Sequence, residues 1–294
     1  MTGAIYKRRR NTTHAIIHAT LAVTCLVCII PLWLIISASF TDEQALVEQG
    51  FRLIPAKFST EAYRFLLADP GQILRAYGVS ILVTFSGAFG SLFLMSLLAY
   101  ALSRRDFSLR KLFAFFVFFP ILFNAGTLPF YILMVRQLGL KDNLLALVLP
   151  PLVLPFFVLL LRTFFSAIPR ELIEAAKLDG ASEWLIYFRV VVPLSTPALA
   201  TVGLFSLLFY WNDLYLSLLF INDKSLYNLQ YLLYQIIANI QLLEEGFAGQ
   251  GIKPPLQSVR MAMAVLAMGP VLFAFMFVQR YFIKGITLGG LKGD

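Results

Sequence analysis

The chain has 294 residues, of which 59% are hydrophobic and 14% charged, with a net charge of +8. An apolar share this far above the roughly 45–50% of soluble domains makes membrane residence the leading class. With six spans and both termini on one side, that side receives 15 of the 24 Lys and Arg residues, while the other holds nine basic and nine acidic and is neutral. The positive-inside rule makes the basic side cytoplasmic, so the charge is not a nucleic-acid footprint and no nucleic-acid partner is expected.

In chain order, "KRRR" at 7–10 precedes an apolar stretch at 15–38. At over 20 residues it is long for the core of a signal peptide and reads as a retained first span. Within it Cys25 and Cys28 form C-x-x-C. No cation is near to lower a thiol pKa, so packing is favoured over redox chemistry. His14 and His18 lie one helical turn apart, but two histidines leave a metal shell incomplete, and no metal is expected. An outward loop covers 40–75. The second span, 77–102, carries three glycines and several serines between 78 and 96, a composition suited to close helix contact in lipid. The third, 112–135, contains Pro120, Gly126 and Pro129, which predict a bend or break. The fourth, 143–162, includes 18 residues from Leu144 to Leu161 without a polar side chain. The fifth is 196–220. A second long outward loop covers 221–260, and the sixth span is 261–283.

Asp213 is the one acidic residue placed within a span. An intramembrane carboxylate is costly and faces protein or water. With Tyr210, Trp211 and Asn212 it is either a pathway or gate group or a satisfied interhelical bond, and Asn124, Thr127 and Tyr131 are candidates for the same cavity.

The inward loops are short and basic except residues 163–195, which hold seven charged residues from Arg170 to Arg189. At helical spacing Arg170, Glu174 and Lys177 share a stripe with Glu171 beside it, Leu172, Ile173, Ala175 and Ala176 take the other face, and Leu178 falls off the pattern. Pro169 suits a first turn, Gly180 a left-handed stop, and Ser182 a cap for a second helix ending before Pro193. The result is an exposed helical hairpin. A membrane-surface hairpin is the bland alternative, but its polar face would be basic and its apolar face bulky. Mixed charge and alanines fit a protein socket better.

The stretch "EAAKLDGASEWLIYFRVVVP" resembles the signature of permease subunits of bacterial ABC importers. Glu174, Ala175, Ala176, Gly180 and Pro193 stand at its spacing, with Val190 and Val192 in place of the more usual Ile and Leu. The similarity extends over most of the chain to maltose-type carbohydrate permeases: "WND" at 211–213 and the ending "KGITLGGLKGD" also match. The resemblance implies an all-α, six-span, type I importer permease fold with a coupling hairpin. It implies an N-terminal segment at 1–14, a permease domain at 15–285 and a tail at 286–294, with both termini cytoplasmic in a bacterial inner membrane.

The same resemblance implies that Glu174, Ala175, Ala176, Asp179, Gly180 and Pro193 couple to an ATPase subunit. It implies that the tail residues Gly289, Gly290, Lys292 and Gly293 reach between two ATPases, and that residues 239–256 probe a binding protein. The implied partners are a second, homologous permease, two ATPase subunits, an extracytoplasmic solute-binding protein and membrane lipid. ATP and magnesium are expected on the ATPases and no cofactor on this chain. In agreement, no G-x-x-x-x-G-K-[ST] occurs; Gly285 and Gly290 have the spacing, but Leu291 follows.

Two other classes compete. An ion-coupled secondary transporter would use Asp213 and predicts internal repeats with paired broken helices. A membrane enzyme would need clustered acids or a metal set near one face. Neither explains the hairpin. "LYNLQYLLYQII" at 226–237 and "KPPLQSVRMAMAV" at 253–265 resemble a subgroup associated with polysaccharide fragments, including alginate or pectin oligosaccharides.

Overall fold

A computed structural model describes the backbone of residues 2–247 and 256–290, and the side chains of 16–240, 256–273, 275 and 276. Among the described residues the secondary structure is helical, with no strand and a lone bridge between Thr41 and Phe58. The chain divides into two compact units, 1–70 with 235–269 and 71–234 with 270–294.

The first unit opens with the Thr2–Ser39 helix, whose apolar part, Ile16–Ser39, has 24 residues. At 1.5 Å per residue this is about 36 Å, enough for a hydrocarbon core of roughly 30 Å. Thr20 and Thr24 donate to carbonyls one turn back at 2.9 Å, so their hydroxyls are satisfied without water. Cys25 and Cys28 are free and exposed, and the side chain of His14 lies outside the described residues. The chain then returns along the helix: Trp33 Nε1 donates to Leu53 O at 2.8 Å and Ser37 Oγ to Arg52 O at 2.7 Å. Glu43, the first residue of the short Glu43–Gln49 helix, caps a distant one. Its carboxylate accepts from Gln257 N at 2.9 Å, Ser258 N at 2.8 Å and Ser258 Oγ at 2.7 Å, satisfying amides that the Leu256–Gly290 helix otherwise leaves open. No local pattern announces a cap supplied from over 200 residues away.

In the second unit the 34-residue Pro70–Ser103 helix serves two apolar cores. Its end carries Met95, Ala99, Tyr100 and Leu102 against Val158, Leu161 and Phe165. Its middle carries Val83 and Ala88 against Leu147, Tyr210 and Phe220. The small residues permit this closeness: a Cβ on Gly87 would lie 2.3 Å from the Tyr210 ring.

Three of the expected spans are bent pairs of helices rather than straight rods. The third is Arg110–Leu122 followed, after a turn at Gly126, by Thr127–Gln137 at 118°. Thirteen residues reach only about 20 Å, so the expected break is in effect a reversal. The fourth corrects the hydropathy reading. The run from Leu144 to Leu161 is split into Leu145–Leu152 and Pro155–Ser166, inclined at 45°. Pro155 lacks an amide hydrogen and drives the residue before it out of the helical region; Val153 and Leu154 are extended. The fifth is bent at its start, where Glu183–Leu194 meets Thr196–Trp211 at 85°; it then stops at Trp211 and a separate short helix, Tyr215–Phe220, follows, so Asp213 sits in a break instead of inside a continuous helix. Three single helices and three bent pairs make up to six crossings.

The outward loop expected at 221–260 contains a 19-residue helix, Leu229–Phe247. Residues 248–255, within the 239–256 segment expected to probe a binding protein, lie outside the described residues. The last helix runs through Gly289 and Gly290, so the expected tail begins inside it. Lys292 and Gly293 lie outside the described residues.

Candidate functional site

The hairpin is built from local rules. Pro169, at φ −55° and ψ 132°, stands just outside the nine-residue Arg170–Leu178 helix. At its end Gly180 N donates to Lys177 O and Ala181 N to Ala176 O, each at 3.0 Å. These paired bonds form the Schellman closure, which needs a left-handed residue at its second-last position. Gly180 supplies it at φ +77°, and no atom lies within 4 Å of a Cβ placed there. Glycine is therefore required by dihedral angle and not by space. Ser182 Oγ accepts from Leu185 N at 3.3 Å and caps the second helix, as expected.

The second helix does not end before Pro193. Glu183–Ile186 passes into a π turn, Tyr187–Val191, and then Val192–Leu194. Val192 N donates to Tyr187 O, five residues back. One extra residue in the ladder makes room ahead of the proline ring, which would otherwise press on the preceding turn. The helix therefore continues past Pro193 and then turns by 85° into Thr196–Trp211.

The hairpin is anchored on its inner face. Ile173, Ile186, Tyr187 and Val191 belong to the same core as Met95, Ala99 and Leu161, with Ala176 packed against it. Tyr187 Oη and Ser96 Oγ are 2.6 Å apart, and Tyr100 Oη donates to the Glu183 carboxylate. Lys177 Nζ reaches Asp106 at 2.7 Å and Glu183 at 2.9 Å, while Arg104 reaches Asp106 at 3.0 Å and Glu183 at 3.7 Å. The sequence reading placed Lys177 on a face open to a partner; instead it ties both hairpin helices to the loop after Ser103.

This network is charged over the whole physiological range. The Lys177 hydrogen bond, with Arg104 behind it, pulls the Asp106 carboxyl down to about 2 against a smaller upward effect of burial. Asp106 and then Glu183 raise the Lys177 ammonium. The Asp106 contribution is present above the ordinary carboxylate pKa and lost as pH falls through about 2. That of Lys177 is complete below the ordinary ammonium pKa and lost as pH rises through the raised one. Asp106 and Glu183 are about half exposed, so the network fixes geometry more than it adds stability.

What remains outward is distinctive. Glu174 is exposed and makes no ion pair among the described residues. Ala175 and Asp179 are also exposed. Leu178, off the helical pattern, is 89% exposed, and Trp184, 59% exposed, stacks on Phe188 at 6.1 Å. Only Ile173 is fully buried on the stripe read as apolar, with Leu172 exposed. A free carboxylate beside unburied large apolar side chains on a braced support is the composition of an interface anchor.

The residues grouped with Asp213 do not form one polar lining. Tyr210 is 2% exposed and donates to Val148 O at 2.9 Å. Trp211 is 6% exposed and lies against Tyr77. Asn212 donates to Leu208 O, and Asn124 accepts from Gly126 N, so both bonds are local. Thr127 Oγ1 lies 2.8 Å from Tyr215 Oη, and Tyr131 stacks on Phe220. Those two therefore meet the Tyr215–Phe220 helix beyond the break. Asp213 Oδ1 accepts from Leu216 N at 3.2 Å, its carbonyl accepts from Asn228 Nδ2, and Oδ2 is buried without a partner. Asparagine can keep the Oδ1 acceptor while removing the charge. Asp213→Asn is expected to keep uptake within about twofold at matched expression, since the bond that starts the helix survives. Complete loss of uptake would favour an ion-coupled carrier.

Helical throughout the described residues, with up to six crossings of which three are bent pairs and with a braced hairpin between two of them, the chain has the architecture of a membrane permease. Residues 91–288 match the model of the binding-protein-dependent transport system inner membrane component family, and the chain belongs to that family of transport-system membrane components. It is 40% identical over 280 residues to the polygalacturonan/rhamnogalacturonan transport system permease protein YtcP of Bacillus subtilis (strain 168), covering 95% of this chain and 97% of the relative. It is 30% identical over 274 residues to the trehalose/maltose transport system permease protein MalG of Thermococcus litoralis, covering 92% and 93%. A solved bacterial ABC transporter involved in the import of the acidic polysaccharide alginate contains a chain that superposes with a TM-score of 0.77 at 28% identity, covering 93% of this chain and 98% of that one.

Proposed function

We propose that this chain is one of two homologous permease subunits of an ATP-driven importer of oligosaccharides, with fragments of acidic plant or algal polysaccharides as the cargo class. The 40% identity over nearly the full length of a permease for polygalacturonan and rhamnogalacturonan supports that class. Two ATPase subunits bind ATP and magnesium and receive the hairpin. A solute-binding protein delivers cargo on the opposite face, where residues 239–256 meet it. Both termini are cytoplasmic, in the inner membrane, a reading the charge asymmetry supports, and Gly289, Gly290, Lys292 and Gly293 lie toward the ATPases.

The observation that carries the coupling role is Glu174: the motif carboxylate is exposed and unpaired while Lys177, three residues on, is held by Asp106 and Glu183. The brace makes the hairpin move with the spans, and the free acid gives a partner something to hold. Closure of the ATPases then biases which of two arrangements of the flanking helices is stable.

Glu174→Ala is expected to leave insertion unchanged, abolish uptake and reduce co-purification of the ATPase chains. Purification of the assembled complex tests the wider reading: a second permease and two ATPase chains should co-elute. With the cognate binding protein, ATP hydrolysis should rise with oligogalacturonides or alginate oligosaccharides more than with neutral maltodextrins. A chain that purifies alone and transports without ATP would sink this function.

A further inference from the structure

Beside the hairpin lies a cavity of about 420 Å³ that shares Glu174 with the coupling face and is otherwise lined by residues the coupling role does not use. Its walls come from the loop after the Pro70–Ser103 helix and from the first turns of the Arg110–Leu122 and Arg170–Leu178 helices. Five cations, Arg104, Arg105, Arg110, Arg170 and Lys177, line it against two carboxylates, Asp106 and Glu174. Lys177 and Arg104 are already committed to Asp106 and Glu183. Among the described residues no carboxylate pairs with Arg105, Arg110 or Arg170.

Two further features point to an anion. The Nε of Arg104 is buried and has no hydrogen-bond partner. Arg110 and Arg170 are the first residues of their helices, and neither helix has a side-chain cap; Arg110 N donates to Phe107 O at 3.2 Å, and the later first-turn amides of both helices adjoin the cations. Unpaired guanidinium groups beside helix starts suit oxyanions, phosphate among them. One wall is apolar, with Phe165 and Ile173 buried in it, which suits a ligand that has an acyl-chain end as well as a charged head.

We propose that this cavity is a phosphate-binding site, filled by the headgroup of an anionic phospholipid from the cytoplasmic leaflet. Free phosphate offers the same chemistry without the apolar part. Headgroup recognition by basic pockets at the cytoplasmic ends of spans has the required electrostatics. The bound phosphate joins the Arg105–Arg110 loop to the start of the hairpin helix, so lipid composition sets how firmly the hairpin is presented. This rests on the orientation proposed above.

The test uses the complete importer in nanodiscs of phosphatidylcholine alone or with phosphatidylglycerol. Lipid retention is read by native mass spectrometry, and arginine protection by phenylglyoxal labelling with peptide mapping. Phosphatidylglycerol is expected to stay bound and to shield Arg105, Arg110 and Arg170. Retention should fall about tenfold in an Arg105→Gln/Arg110→Gln/Arg170→Gln variant and recover in part with lysine at the three positions. Shielding by inorganic phosphate in phosphatidylcholine discs, without lipid retention, identifies free phosphate as the source. Equal retention and labelling in wild type and variant overturn the site. So does a variant that sheds the ATPases while keeping its lipid, because the cavity then belongs to a protein interface. If the triple variant does not assemble, Arg105→Gln and Arg170→Gln singly must each lower retention, and no change in either overturns the site. Oligosaccharide-stimulated ATP hydrolysis by the wild type in the same discs is read separately. Its absence counts against the importer function and leaves the phosphate result standing.

Discussion

Gly180→Pro will leave the protein in the membrane and abolish uptake. Proline holds φ near −65°, whereas Gly180 stands at +77°, so the turn cannot close with proline in place. The substitution also removes the amide that donates to Lys177 O, and it disturbs the neighbouring bond from Ala181 to Ala176 O. Together these cost about 3 kcal/mol or more, concentrated in the turn between the two hairpin helices. The spans take no part in the two closing hydrogen bonds and should insert normally. Gly180→Ala is the graded comparison. It keeps the amide and meets no atom within 4 Å, so it carries only the left-handed strain of about 1–2 kcal/mol. Uptake should fall by about tenfold at that cost if the hairpin geometry is coupled directly to transport. The measurement is uptake and ATPase co-purification at matched membrane levels. A well-inserted Gly180→Pro protein that transports normally would remove the hairpin from the mechanism.

The hairpin was legible because its determinants are local. Pro169, Gly180 and Ser182 each impose a dihedral angle or a cap within a few residues; Gly180 and Ser182 stand where the pattern puts them, and Pro169 stands one position before the first turn expected for it. Its bracing was not legible. Asp106 lies 71 residues from Lys177 in the chain, and nothing in "SRRDF" announces that its acid faces a lysine on another element. Hydropathy located the apolar stretches but not their straightness, since transfer preference carries no dihedral information. The prolines at 120 and 129 gave warning of one break, while Pro150, Pro151 and Pro155 carried the same information and were outweighed by an uninterrupted apolar run. Pro193 shows the limit of reading a proline as a stop, because a π turn before it let the helix continue. Among the residues grouped around Asp213, the sequence showed polarity and aromaticity but could not distinguish Tyr210 filling a core from Tyr131 stacked on Phe220.

Tyr210 leads to the second large effect. Gly87→Ala adds one carbon, and its ideal position lies 2.3 Å from the Tyr210 Cε1 and 2.5 Å from Cζ. Contact that short requires movement, and neither partner is free to move. Tyr210 is 2% exposed and its hydroxyl is held by Val148 O. Gly87 sits mid-helix in the element that carries both cores of its unit. If the ring swings away, the part-buried Val148 carbonyl loses its donor; if the helix shifts, the contacts of Val83 and Ala88 loosen. Either response costs about 1–3 kcal/mol for overpacking, with a similar amount added when the hydrogen bond breaks. Gly87→Ala is therefore expected to lower the thermal midpoint of the purified protein and its yield in the membrane. Gly87→Leu should prevent stable folding. The cause is separable from general helix damage by a double-mutant cycle. Tyr210→Ala opens the space that the new methyl needs, so Gly87→Ala should cost much less in that background than in wild type, a coupling of about 1–3 kcal/mol. Additive effects of the two substitutions would mean that the ring and the glycine do not meet, and the packing assigned to this helix would then be wrong.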